Sequence, residues 1–136
     1  MIGAVNDLVD RIMQEYPIDP ERVYALGFSD GGYGALAAGV RFPERYAAVA
    51  EIGGYFTDIK ALCALKDTPV YVYHGEKDEV IPVDRAYDIQ EKLEECSKLL
   101  TVNILAGKNH LESADETLNS IELYTNLFSN TLKQVR

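Results

Sequence analysis

YALGFSDGGYGALAAGV, residues 24–40, passes from an apolar run through Gly27, Gly31, Gly32 and Gly34, gathered around Ser29, into an alanine-rich segment. The pattern reads as strand, tight turn and helix. Gly27-Phe28-Ser29-Asp30-Gly31 fits G-x-S-x-G, in which a serine sits on a strained strand-to-helix turn and small flanking residues let backbone approach. Gly27 and Gly31 are expected to make room around Ser29, and Gly32 and Gly34 to ease contact between helix and sheet. A glycine-rich turn serving only close helix-to-sheet packing would have the same letters, so the reading depends on partners elsewhere in the chain.

Outward from this junction the periodicity alternates. Upstream, Val5, Leu8, Val9, Ile12, Met13 and Tyr16 recur at helical spacing and Pro17 stops the pattern. RVYALGF (22–28), YAAVAEI (46–52), PVYVYHG (69–75) and LLTVNILA (99–106) are short apolar, β-branched runs that read as strands. GYGALAAGVRF (32–42) reads as a helix ending before Pro43. A second helix is expected from Asp84 to Lys98, with Ala86, Ile89, Leu93 and Cys96 on one face and Asp84 as its N-cap. A last helix is expected from Ser113 to Leu132, with Leu118, Ile121, Tyr124 and Phe128 turned inward. Residues 53–68 read as a connection with one helical turn. The expected architecture is α/β: a short, mostly parallel sheet of about four strands flanked by helices, formed by residues 1–136 as a single domain.

Composition narrows the function. With 13 Lys and Arg against 22 Asp and Glu, the net charge is −9. Nucleic acid is disfavoured as a partner because phosphate binding needs a basic stripe, and anionic membranes are disfavoured likewise. No segment approaches the roughly 20 apolar residues of a membrane span, and the first residues form an acidic amphipathic pattern, so a cytoplasmic location is the default expectation. Cys63 and Cys96 read as two separate small apolar residues, not as a disulfide. No ligand cluster for a metal is recognisable, and no cofactor is expected.

A nucleophilic serine needs a base, and the chain holds two histidines, His74 and His110. His74 ends the expected third strand and His110 lies in the loop after the fourth, so both stand toward the carboxyl ends of strands, where ligands and catalytic groups of parallel sheets gather. Order separates them. With Asp78 as the acid, Ser29, Asp78 and His110 run in the order Ser, Asp, His. His74 then supports the loop carrying Asp78. The rival acids Glu76 and Glu79 read as solvated turn charges, and Asp84 as a helix cap.

IDPERVYALGFSDGGYGALAAGVRFPERYAAVAEIGG, PVYVYHGEKDEVIPVDRAYDI and GKNH together resemble the carboxyl-terminal half of the α/β-hydrolase superfamily, in its bacterial esterase, phospholipase/carboxylesterase and predicted-peptidase branch. The resemblance implies a truncated α/β-hydrolase fold lacking the usual N-terminal strands, with Ser29 as nucleophile, Asp78 as orienting acid and His110 as general base. It further implies a serine hydrolase of carboxylic esters acting through an acyl-enzyme, with the backbone N–H of Asp30 in the oxyanion site. Peptidase or thioesterase action would use the same triad. A contrasting reading is a catalytically silent remnant that serves as an interaction module.

Two departures accompany the resemblance. Position 30 is commonly uncharged in that branch, and Asp30 is expected to turn its carboxylate away from the oxyanion. The strands that normally precede the nucleophile strand, and with them the second oxyanion donor, are not found ahead of Ser29. EIGGYFTD (51–58) is the candidate substitute. The strand Val23 to Leu26 is then an edge, which predicts a homodimer through that edge or an upstream fragment supplied in trans. The connection after the second strand is short, which suits small or soluble acyl esters, with Tyr33, Tyr55 and Phe56 as candidate substrate-lining residues.

Overall fold

The computed structural model of the chain describes residues 1–135. Helix α1 (Ile2–Glu15) is followed by β1 (Tyr24–Phe28), α2 (Asp30–Arg41) and β2 (Ala48–Ile52). A 3-10 segment (Ile59–Leu65) leads into β3 (Val70–Gly75), α3 (Asp84–Glu94) and β4 (Leu100–Leu105), and the described chain closes with α4 (His110–Leu118), α5 (Ile121–Phe128) and α6 (Leu132–Val135). The four strands are parallel and lie in chain order, β1-β2-β3-β4. The α/β architecture is therefore the expected one.

Strand alternation divides the core into two layers. Val49, Val70 and Val72 pack with Leu36, Leu62, Leu65, Ile89 and Leu93 on the face covered by α2, the 3-10 segment and α3. Ala48, Ala50, Ile52 and Tyr73 meet Ala114, Leu123 and Leu127 on the opposite face. Every residue of β2 is buried, as a central parallel strand requires. β1 pairs only with β2 among the described residues, so its other side is an open edge with Leu26 exposed.

Several expectations need correction. The last helix is two helices. Ser120 caps a fresh start by accepting the Glu122 N–H, and this break resets the helical phase. Leu123 and Leu127 are consequently the buried residues, while Leu118, Ile121 and Phe128 are exposed and Tyr124 is half-buried. Asp84 is not the N-cap of α3. Val83 occupies that position and Asp84 stands in the first turn, where its charge still favours the helix end. The connection after β2 holds a seven-residue 3-10 segment, longer than one turn.

Cys63 and Cys96 form a disulfide, against the reading of two separate thiols. The 3-10 segment packs on α3, which brings the two Cα atoms to 5.9 Å, a separation a disulfide spans. Helix α1 forms as expected, but its apolar stripe is largely uncovered: Val5, Leu8 and Ile12 are exposed.

Candidate active site

The turn between β1 and α2 explains the glycines in part. Ser29 has φ 58° and ψ −119° and is the one non-glycine residue with positive φ among the described residues. That backbone is strained for a side chain carrying Cβ, and it lifts the serine above the sheet. Gly27 is indispensable to the turn: a Cβ there would stand 1.9 Å from the Gly31 carbonyl oxygen. Gly32 is also crowded, with the Glu51 carboxyl and Gly54 at 3.2 Å from a Cβ position. Gly31 and Gly34, expected to relieve crowding too, would meet nothing within 4 Å. The crowding is thus at Gly27 in β1 and at the buried Gly32 of α2.

The acid and the histidine are placed by two loops that bond to each other. Lys77 donates its N–H to Lys108 O at 2.9 Å, Glu76 donates its own to Leu105 O at 3.0 Å, and the Gly107 N–H reaches the Glu76 carboxylate at 2.8 Å. Asn109 then opens α4 with a capping box shared with Glu112, fixing His110 as the first helical residue. The result brings Ser29, Asp78 and His110 together. His110 Nε2 is 3.0 Å from Ser29 Oγ, and His110 Nδ1 is 2.6 Å from Asp78 Oδ2.

Asp78 is buried and fully engaged. Its Oδ1 accepts the N–H groups of Val80 at 2.9 Å and Ile81 at 2.8 Å. Burial alone would raise its pKa, but the hydrogen bonds from His110, Ile81 and Val80 outweigh it and hold the carboxyl below its ordinary range. His74 is fully buried beside it, with Nε2 at 2.7 Å from Ile81 O and 3.4 Å from Asp78 Oδ2. Through Ile81 O it contacts the loop that carries Asp78. Glu76 and Glu79 are exposed.

Asp30 opens α2, where the first N–H groups have no acceptor within the helix. Its carboxylate accepts from the Tyr55 hydroxyl at 3.1 Å. This bond, more than the negative charge beside it, raises the Tyr55 phenol above its usual pKa. Tyr33 lies between Tyr55 and Phe56, with ring centroids 5.3 and 5.2 Å away. Phe56, expected to line a substrate site, is instead buried in the core. Tyr33 and Tyr55 remain partly exposed.

Residues not anticipated from the sequence complete the surroundings. The Phe28 ring lies 4.7 Å from the His110 ring. Gly53, at φ +57°, passes so close to His110 that a Cβ would stand 3.3 Å from Nδ1. Glu51 is wholly buried beneath the nucleophile turn. An acid inside the otherwise apolar run AVAEI was the visible signal for it.

The sequence and fold have counterparts among known proteins. The family described as phospholipase/carboxylesterase matches residues 1–129. The chain belongs to that family. Within it, or near it, acyl-protein thioesterase 1 of Gibberella zeae is 28% identical over 114 residues, covering 79% of this chain and 48% of the relative. A poly(3-hydroxyoctanoate) depolymerase of Pseudomonas fluorescens is 35% identical over 82 residues, covering 53% of this chain and 30% of the relative. The crystal structure of a thermostable esterase superposes with a TM-score of 0.87 at 31% identity, covering 94% of this chain and 36% of that one. The chain thus spans less than half the length of each of these three proteins. As a phospholipase/carboxylesterase family member it carries the α/β-hydrolase fold in a four-stranded form.

Proposed function

We propose that the chain is a serine hydrolase of carboxylic esters, organised as one domain, with Ser29 as nucleophile, His110 as general base and Asp78 as the acid that orients it. The observation carrying this reading is the continuous hydrogen-bonded path from Ser29 Oγ through both His110 nitrogens to Asp78. His110 Nε2 takes the serine proton as Oγ attacks the ester carbonyl, and returns it to the departing alcohol. The Asp78 carboxylate accepts from Nδ1–H, which leaves Nε2 free as the basic nitrogen and stabilises the imidazolium that forms. Water, activated by the same histidine, then releases the acyl group from Ser29.

In this reading the Asp30 N–H, at the positive end of α2, receives the developing oxyanion. The Asp30 carboxylate accepts from the Tyr55 hydroxyl, which supports the reading that it turns away from the oxyanion. Tyr33 and Tyr55 form the rim met by a substrate, and the short, open surroundings suit small or soluble acyl esters. Thioester or peptide cleavage would use the same groups, and the depolymerase and thioesterase relatives make ester and thioester the substrates to try first.

The open edge of β1 takes another strand, from a second copy of the chain or from an upstream segment. Beside it runs a groove of about 440 Å³ lined by Val5, Val9, Val23, Leu26 and Ala35 and ending at Asp30 and Gly31. Covering this apolar groove would bring new backbone next to the oxyanion position. The Cys63–Cys96 disulfide favours an oxidising compartment over the cytoplasm. No helix among the described residues is long and apolar enough to cross a membrane.

The test is turnover of short-chain nitrophenyl esters by the chain and by Ser29→Ala, with fluorophosphonate labelling located by mass spectrometry. Labelling at Ser29 and loss of turnover in the variant are expected. Equal background rates and an unlabelled Ser29 would overturn the reading.

A further inference from the structure

Glu51 is the one acid in β2, and its side chain is entirely shielded from solvent. Oε2 accepts the Gly54 N–H at 2.7 Å, while Oε1 is buried with no hydrogen-bond partner. The carboxyl touches backbone on two sides. A Cβ on Gly54 would stand 2.6 Å from Oε2 and 3.2 Å from the Ser29 carbonyl oxygen, and a Cβ on Gly32 would stand 3.2 Å from Oε2. One residue back along the turn, a Cβ on Gly53 would meet His110 Nδ1 at 3.3 Å and Asp78 Oδ2 at 3.5 Å. Ser29 itself donates its N–H to Ile52 O at 2.8 Å. Ile52 therefore bonds to Ser29, Gly53 runs too close to His110 and Asp78 to leave room for a side chain, and the Glu51 side chain holds the far end of this turn at Gly54.

We propose that Glu51 is a positioning residue of the hydrolytic site, whose uncharged carboxyl holds the Gly53–Gly54 turn in the place where Ser29 and the His110–Asp78 pair rest on it. The proposal builds on the serine hydrolase reading and adds a residue that touches no substrate. Its charge state follows from its surroundings. Burial pushes its pKa up to about 8, against the smaller opposing effect of the Gly54 N–H. Across the sheet it faces Gly27 and Val72, and above it lies Gly32, none of which titrates. Of the titratable groups on the flanking elements, Tyr73 lies in the opposite layer of the core. Asp30 binds Tyr55, His74 faces Ile81 O and Asp78, and Asp78 bonds to His110; none of them bonds to Glu51.

An uncharged carboxyl in this position needs no counter-ion. Ionised, it would be a buried charge with a single N–H for support, a state relieved only by admitting water or moving the turn. Movement of the turn would shift Gly53 under the His110 ring, so ionisation of Glu51 should uncouple His110 from Ser29 without altering the substrate rim.

The experiment follows fluorophosphonate inactivation of the wild type, Glu51→Gln and Glu51→Ala from pH 6 to 10, separating kinact from KI. Glutamine keeps an oxygen for Gly54 and cannot ionise. At pH 7 Glu51→Ala should lose at least tenfold in kinact with KI nearly unchanged, and Glu51→Gln should recover most of that loss. Above about pH 8 the wild-type kinact should fall while that of Glu51→Gln stays level. An alkaline fall shared by wild type and Glu51→Gln, or wild-type kinact in Glu51→Ala, would overturn the proposal. A wild type that is not labelled at any pH would overturn the hydrolase reading instead. The His110 ring resonances then decide the positioning role: an inflection near pH 8 present in wild type and absent in Glu51→Gln supports it, and identical titration curves overturn it.

Discussion

Asp78 and His110 are joined through one carboxylate oxygen while the other oxygen is occupied: Oδ2 lies 2.6 Å from His110 Nδ1, and Oδ1 takes the N–H groups of Val80 and Ile81. Every contact of the acid is therefore with a donor. Asp78→Asn places an NH₂ against either the Nδ1–H or two backbone N–H groups, and both placements set donor against donor. The imidazole is then favoured in the wrong tautomer for taking the Ser29 proton. Ester turnover should fall by about 10³–10⁴-fold, with loss of at least ~1 kcal/mol of stability from the unsatisfied groups. Steady-state kinetics and thermal melts of the same preparation check both, and turnover within tenfold of wild type would contradict the assignment.

The two buried carboxyls push stability in opposite directions with pH. Asp78, held below its ordinary range, contributes stability that is present above the unfolded carboxyl value and disappears as pH falls through its folded value. Glu51, pushed up to about 8, contributes in the reverse sense: the folded state retains a proton that the unfolded state has lost, so stability declines from the ordinary carboxyl value up to about pH 8. Comparison with Glu51→Gln cancels the other groups. The Tm difference, variant minus wild type, should rise between pH 5 and 8 and level off above that, corresponding to a few kcal/mol in all. Parallel Tm curves would show that Glu51 is not held uncharged.

The glycines of the nucleophile turn divide into crowded and open positions, and this division can be measured. Gly27→Ala would drive a methyl group to 1.9 Å from the Gly31 carbonyl oxygen, a backbone clash that no rotamer relieves. The protein should fail to fold, or lose well over 10 °C in Tm. Gly34→Ala, in the interior of α2 with nothing within 4 Å, should instead gain roughly 0.5–1 kcal/mol by restricting the unfolded chain and removing a poor helix former. Circular dichroism melts of the two variants distinguish them, and a stable Gly27→Ala protein would mean that the turn is not held as described.

That Ser29, Asp78 and His110 would come together was legible because the choices were few. Two histidines, both toward the carboxyl ends of strands, left chain order to select His110, and the loop after PVYVYHG carried the acid. The four strands were legible because apolar β-branched runs punctuated by Gly and Pro admit little else. What failed depended on distance through space or on phase. The break at Asn119–Ser120 is a local cap inside an apparently continuous helical pattern, and missing it rotated the expected inward face from Leu123 and Leu127 to Ile121 and Phe128. Phe56 could not be separated from Tyr33 and Tyr55 by letters alone, since each is an aromatic shortly after a strand end, while of the three Phe56 is the one buried in the core. The contact of Glu51 with Gly54 depends on a turn geometry that no periodicity encodes.

Cys63 and Cys96 are the sharpest case, since their spacing says nothing about whether the 3-10 segment docks on α3. The disulfide closes a loop with a sequence separation of 33 that contains β3, Asp78 and all of α3. In the chain-entropy treatment a loop of that length stabilises the fold by roughly 3–4 kcal/mol, chiefly by restricting the unfolded chain. For a domain of this size the corresponding change in Tm is about 10 °C. Reduction, or the double substitution Cys63→Ala/Cys96→Ala, should therefore lower Tm by about that amount. At temperatures where the reduced protein stays folded, its ester turnover should change little, because the bridge joins the 3-10 segment to the C-terminal end of α3 while Asp78 is held by Val80, Ile81 and His110. Melting and turnover measured with and without dithiothreitol check both halves. A large loss of rate with an unchanged Tm would mean that the bridge acts on the Asp78 loop directly and not through the unfolded chain.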